Sequence, residues 1–485
     1  MGSRRQTSHP HPHAFNNFHA REAEGLVVAS RRNFLKAGWA GLAGLSLPTL
    51  LQAREEGART GQPLGSGKSV ILLWMAGGPS HIDTWDPKPD RPIDNRGPFG
   101  VIPTRLPGVH FCEHLPKQAA MLDQFTVIRS VDAQFSNHEP NSVFQTGNTE
   151  AAPRVNVRGH LYPSIGSIVA KLHGPNHPAM PANAAFIRSR THIPGAGYLG
   201  KKYDPFPANS AATLPLYNDV GVPNGRMSKA DLFRFPKQVS HERILERRSL
   251  AAAFDQMRKE LDVTGNMDAM DRYSQQAVEM LVGGRARAAF DLSRESPRIR
   301  DRYGSHLWCQ QALLARRLVE AGVAFVTIDL SYHPSSGTWD THGDNIPPYG
   351  GIRKGLQPLL PLFDHLFTTL LQDLRERGLL NDVLLIAMGE FGRTPRIGTQ
   401  ESTDGRDHWP SVMSMALAGG GMRHGQVIGA SEQDGGQIKH RPVTPGDLAA
   451  TIYKHMGVPL DATYLDNTGR PRAIVEKGQP IAELI

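Results

Sequence analysis

Short unbroken apolar runs, each stopped by glycine or a polar turn, alternate along the chain with longer stretches of three-to-four-residue periodicity. Lys68–Met75 (KSVILLWM) breaks at Ala76-Gly77-Gly78-Pro79, Val323–Leu330 (VAFVTIDL) follows Gly322, and Val383–Met388 (VLLIAM) stops at Gly389-Glu390-Phe391-Gly392. Runs this short and this continuously apolar predict strands buried on both faces of a parallel sheet. Phe125–Arg129, Ala185–Arg188 and Ser414–Ala418 predict further strands. Ser164–Leu172, Leu307–Ala321 and Asp447–Met456 read as helices, the last N-capped at Thr444 with Pro445 at its first position and Gly457 at its end. Leu359, Phe363, Leu366, Phe367, Leu370 and Leu374 give one more helix an apolar face. The pattern predicts an α/β fold: a mostly parallel central sheet with helices on both faces. Pro194–Pro236 is rich in Gly, Pro and Asn, and Ser240–Leu261 and Met267–Leu292 are charged helical stretches, so an irregular and helical insertion is expected at about 194–300.

Composition changes this picture little. With 485 residues, 39% hydrophobic and 21% charged, the chain can bury a large core as a soluble globular protein. Of the net charge of +8, half lies in residues 1–53, and no basic stripe with interleaved aromatics follows, which argues against nucleic acid as a partner. Cys112 and Cys309 are the only cysteines, too few for a disulfide scaffold or a zinc-thiolate site. At the amino end, Ser30-Arg31-Arg32-Asn33-Phe34-Leu35-Lys36 precedes a weakly apolar run, Ala37–Leu51, and a small-residue cleavage site at Leu51-Gln52-Ala53. This resembles a twin-arginine signal. It implies export of the folded protein by the twin-arginine translocase to the periplasm or cell envelope, with residues 1–53 removed. The run is too short and glycine-rich to leave a stable transmembrane segment in the mature protein.

Polar residues gather just beyond the predicted strands. His81 and Asp83 follow the first, two residues apart, so on an extended segment they face one side. Asp340 and His342 repeat that spacing after Val323–Leu330. Glu390 follows Val383–Met388, and Gly405-Arg406-Asp407-His408-Trp409 comes within the same loop. Mixed imidazoles and carboxylates of this kind can ligate metal ions, and open α/β sheets place ligands outside the carboxyl ends of their strands. Ser136-Asn137-His138-Glu139-Pro140 reads as the start of a helix running to Gln145, N-capped by Ser136 or Asn137. A helix start binds anions, so Ser136, Asn137 and His138 are candidates for contact with an oxyanion, with a plain cap as the other reading. Arg393 and Arg406 also suit oxyanion binding, with surface salt bridges as their other reading.

LFDHLFTTLLQDLRERGLLNDVLLIAMGEFG resembles the helix, strand and loop before the Asp-His-Gly metal motif of sulfatases and alkaline phosphatases. GGGMRHGQVIG and TPGDLAATIYKHMGV resemble that superfamily's closing segments. With GGPSHIDTWDPKP, NHEPNSVFQTGN, WDTHGDN, GEFGRTP and GRDHWP, nearly all of residues 68–485 is similar to the exported domain-of-unknown-function 1501 family. The resemblance implies a metal-dependent α/β fold of the alkaline-phosphatase type. The chain departs from the superfamily pattern at several places. Glu390-Phe391-Gly392 stands where sulfatases have Asp-His-Gly. Gly77-Gly78 stands where the first strand normally ends in a metal-binding Asp, so His81 or Asp83 would have to substitute. Counting back from Gly147 to the usual nucleophile position gives Asn137, which is no nucleophile. Cys112 is followed by Glu113-His114, so the formylglycine signature Cys-x-Pro-x-Arg is absent.

These readings converge on an exported, metal-dependent hydrolase of phosphate or sulfate esters, acting on an anionic small molecule or a glycan ester. His81, Asp83, Asp340, His342, Glu390, Asp407 and His408 would share one or two divalent ions, zinc or manganese being favoured and calcium or magnesium left open. Either water activated by the ion or Ser136 would attack, with His138 positioning the leaving group. The alternative is a non-catalytic envelope protein, a degenerate sulfatase relative that binds an anionic glycan or a partner.

Overall fold

The computed structural model describes residues 67–136, 138, 141–216, 226–227, 284–343, 345 and 347–485. The export signal, Asn137 and the expected helical stretches at 240–261 and 267–283 lie outside the described residues.

The apolar runs form an eight-stranded sheet plus a small ribbon beside it. In chain order the strands are β1 (Ser69–Trp74), β2 (Phe125–Val131), β3 (Asn183–Phe186), β4 (Phe206–Pro207), β5 (Phe325–Asp329) and β6 (Val383–Met388). They continue with the ribbon β7 (Gly392–Arg393) and β8 (His408–Trp409), then β9 (Met413–Gly419) and β10 (Gln426–Ile428). The sheet order is β10-β2-β9-β6-β1-β5-β3-β4. β1 lies between β5 and β6 and is parallel to both. β9 runs antiparallel to β6 and to β2, so every other strand of the sheet points one way and β9 alone points back. Ala185–Arg188, read as a strand, begins two residues earlier, at Asn183, and ends at Phe186.

Every residue of β1, β5 and β6 is buried because helices cover both faces. The helices flanking the sheet and site are α1 (Ser142–Thr146), α2 (Ile165–Leu172), α3 (Leu307–Ala321), α4 (Gln357–Glu376) and α5 (Pro445–His455). Val70, Leu72 and Trp74 of β1 share a core with Ile165 and Ile168 of α2 and Leu448 and Ile452 of α5. Alternation along the strand turns Ile71 and Leu73 to the other face, where α3 lies against β1 and β5 and α4 packs on α3. Full burial of such side chains contributes roughly 1.5–3 kcal/mol each. α5 begins in a capping box between Thr444 and Asp447, with Pro445 in the first turn. Among the described residues no helix is long and apolar enough to cross a membrane.

One element that bears on the site differs from expectation. The helix read from Ser136 or Asn137 begins only at Ser142, has Asn141 as its N-cap residue and runs five residues to Thr146. The end is where the sequence puts it, with Gly147 in the left-handed region at φ 68°. Ser136 and His138 therefore stand in a turn rather than on a helix start.

Candidate metal centre

The strand directions bring separated segments to one edge. Gly77 follows β1, His138 follows β2, Asp340 follows β5 and Glu390 follows β6, all beyond the carboxyl ends of strands that run together. β9 runs the other way, so it begins at that same edge. The ribbon before it pairs Arg393 with His408 and returns His408 to the other groups. Gly77 makes the approach possible. Its φ is 115°, and a Cβ there would stand 2.3 Å from the Asp340 backbone nitrogen.

His138, Asp340, His342 and His408 each offer one donor atom, and these atoms all lie within 4.8 Å of one another. His138 Nδ1 donates to Glu390 Oε1 at 2.6 Å, so its Nε2 faces the cluster, 2.7 Å from His408 Nε2 and 3.3 Å from Asp340 Oδ2. Glu390 Oε1 is fixed in turn by the Gly77 N–H at 2.8 Å. His342 uses Nδ1 on Asp340 Oδ1 and turns Nε2 toward Asp407 Oδ1 at 3.3 Å. Asp340 is buried and heavily bonded: Arg393 donates to Oδ1 at 2.8 Å and Ser336 Oγ to Oδ2 at 2.6 Å, while Tyr349 OH lies 2.5 Å from that same Ser336 Oγ.

Charge follows from these contacts. Burial alone would raise Asp340, but the Arg393 charge and the hydrogen bonds of His138 and His342 outweigh it and hold the carboxyl well below the usual carboxylate range. Burial pulls His138 down, and Asp340 and Glu390 more than reverse it. Burial, then the charges of Arg393, His138 and His342, push His408 far down, so His408 is neutral and offers a lone pair. A charged His138 then donates its second proton into the space between the two Nε2 atoms. A divalent cation fits the same place, because three imidazoles can face it with lone pairs and an ionised carboxylate supplies the charge. A tetrahedral set about 2.1 Å from an ion has edges of roughly 3.4 Å, which fits inside the 4.8 Å that spans the donor atoms. Ligand histidines backed by a carboxylate, as His138 is by Glu390, are the usual second layer of metal sites.

Of the residues picked out in the sequence, Asp340, His342 and His408 come together, and His138 joins them as a donor instead of standing beside them. Glu390 lies one bond behind, on His138 Nδ1, and Asp407 flanks the set, its Oδ1 taking the His408 backbone N–H at 2.6 Å. His81 and Asp83 are corrected. Asp83 is a buried ion-pair partner of Arg406 at 2.7 Å and accepts from Ser80 Oγ at 2.5 Å. His81 Nε2 is bonded to the Gly435 carbonyl at 2.8 Å. Neither belongs to the donor set. Arg393 and Arg406 are corrected as oxyanion binders, since both are wholly buried and occupied. Arg393 grips Asp340 and the carbonyls of Gly77, Gly78 and Arg406. Arg406 holds Asp83 and the carbonyls of Asn95, Thr394 and Pro395. Ser136 is corrected as a helix-start anion contact, because the helix starts six residues later.

Sequence reasoning missed Ser336, Tyr349 and the Gly77 amide. Ser336 lies four residues before Asp340, a separation that gives no signal until the loop folds back. The donors open into a cleft of about 500 Å³ lined by His138, Asp340, His342 and His408 with Pro153, Arg154, Ser336 and Tyr349.

Fold and site together define an α/β protein with a centre of three histidines and one aspartate at the carboxyl edge of its sheet. A family model described as "Protein of unknown function (DUF1501)" matches residues 67–485, and the chain belongs to that family. No curated protein matches the sequence. Solved structures to which it is similar include the PsFucS1 sulfatase from Pseudoalteromonas sp., at 13% identity over 85% of this chain and 72% of that one, with a TM-score of 0.35. The phosphonate monoester hydrolase SpPMH from Silicibacter pomeroyi stands at 13% identity over 85% and 74%, with a TM-score of 0.31. The lipoteichoic acid synthase LtaP from Listeria monocytogenes stands at 10% over 81% and 73%, with a TM-score of 0.30. At such scores these structures define no shared site geometry.

Proposed function

We propose that this protein is a metal-dependent hydrolase of phosphate or sulfate esters, exported by the twin-arginine pathway to the periplasm or cell envelope. The observation that carries the reading is the convergence of His138, Asp340, His342 and His408 at the mouth of an open cleft. The mixed imidazole and carboxylate set favours zinc or manganese, with calcium or magnesium less suited.

An ion held there would polarise an ester oxygen and acidify a water molecule. The chain's own groups prepare that chemistry. Glu390 fixes the His138 tautomer so that Nε2 faces inward. Arg393 and Ser336 hold Asp340 ionised and in place. Two hydroxyls line the cleft, Ser336 and Tyr349, and both are engaged with Asp340 or each other. That favours water over a side-chain nucleophile, and the missing formylglycine signature agrees. The test is elemental analysis of the purified mature protein, followed by a panel of phosphate and sulfate esters with metals supplied. A metal-free protein sinks the reading. A metal-loaded protein inert across the panel leaves an anion-binding envelope protein instead.

A further inference from the structure

A phosphate or sulfate ester carries negative charge on the oxygens that do not leave, and a site for it needs a cation able to reach them. The two arginines beside the cluster cannot serve: Arg393 and Arg406 are wholly buried and occupied by Asp340, Asp83 and backbone carbonyls. Among the residues lining the cleft there is one arginine and no lysine, and the arginine is Arg154. It is exposed, and among the described residues its guanidinium makes no ion pair and no hydrogen bond. Its backbone is nonetheless held. Ser142 Oγ donates to the Ala151 carbonyl at 2.7 Å, Val155 and Asn156 N–H groups donate to the Ala152 carbonyl at 3.0 and 2.9 Å, and Gly159 lets the returning chain pass close beneath Ala151. The result is a fixed turn that carries an exposed arginine lining the same cleft as the donor set. An arginine fork matches two oxygens of a tetrahedral anion, which a point charge does not.

We infer that Arg154 recognises the anionic group of the substrate. The inference rests on the ester-hydrolase reading above and assigns its anion subsite to a residue that the sequence did not single out. Arg158 sits four residues on in the same segment, is also exposed and does not line the cleft, so it serves as a charge-matched control.

The experiment is calorimetric titration of the full mature chain, its metal content measured beforehand, with inorganic phosphate and separately with inorganic sulfate. Arg154→Ala is expected to weaken whichever anion binds by roughly tenfold or more. Arg154→Lys should recover part of the loss, and Arg158→Ala should bind as the wild type does. Metal content should be the same in all four proteins. Anion binding unchanged in Arg154→Ala overturns the inference while the hydrolase reading stands. Wild-type protein that holds metal but takes up neither anion also overturns it. Absence of metal from the wild type sinks the hydrolase reading by itself, and anion binding that still depends on Arg154 then keeps the subsite.

Discussion

Glu390 holds His138 from behind: its Oε1 takes the His138 Nδ1 proton at 2.6 Å and the Gly77 N–H at 2.8 Å, so one carboxylate oxygen ties the end of β1 to a donor that follows β2. Glu390 is wholly buried and does not belong to the donor set itself. Its work is to orient the imidazole and raise its basicity. Glu390→Gln keeps the shape and removes the charge, and metal affinity should fall by about 10–100-fold. Chelator competition reads this directly. Unchanged affinity would show that His138 is not a ligand.

The Asp83–Arg406 pair should matter to stability and not to metal. Both side chains are wholly buried, 2.7 Å apart. Removing one leaves the other charged and unpaired, so Asp83→Ala should cost about 3–5 kcal/mol in urea unfolding. Asp83→Leu combined with Arg406→Met should cost much less, because neither charge remains. Folded Asp83→Ala protein should carry the wild-type complement of metal; if it loses the ion at once while its unfolding midpoint holds, Asp83 is a ligand after all.

His81 gives a pH signature. Burial pulls it down to about 4 from an ordinary value near 6.5. The folded protein therefore binds this proton more weakly than the unfolded chain does. The stability involved is fully present above about pH 6.5 and is lost as pH falls through about 4, on the order of 3 kcal/mol in total. His81→Gln can still donate to the Gly435 carbonyl and has no proton to take up. The stability difference between wild type and variant should shrink or reverse between pH 7 and pH 4.5. A difference that stays constant across that range would mean His81 does not titrate as described.

Ser136 and His408 separate the two routes of attack. His408→Ala removes a donor and should lose both metal and ester hydrolysis. Ser136→Ala should keep its metal and most of its turnover, because Ser136 stands on no helix start and does not line the cleft. Mass spectrometry of protein quenched during turnover completes the test: a phosphorylated or sulfated Ser136 would reverse the assignment.

The proposed export depends on Arg31 and Arg32. Lys-Lys at these positions should leave the protein in the cytoplasm with its signal uncleaved, as cell fractionation would show. Arrival of the variant in the periplasm would refute the twin-arginine reading.

The sequence by itself determined the sheet and the outline of the site. Continuous apolar runs such as Val383–Met388 can be buried on both faces only inside a helix-covered sheet, and the observed β6 has those same bounds. Thr444, Pro445 and Asp447 spell a helix start whose capping box forms within one turn, so neighbouring residues suffice to read it. Asp340, His342 and His408 could be grouped from the sequence because each follows or precedes a strand at one edge of the sheet. What only the tertiary structure decided is which charged groups meet. Asp83 and His81 have the same spacing as Asp340 and His342, yet Asp83 is taken by Arg406, more than 300 residues away, with Ser80 completing its bonds. Arg393 and Arg406 look like substrate clamps in one dimension and become buried struts, because pairing of β7 with β8 folds them inward onto carboxylates and carbonyls. Spacing fixes the direction of a side chain over one or two turns of chain. Whether it finds an ion, a substrate or a neighbour of opposite charge depends on long-range contacts that no local pattern records.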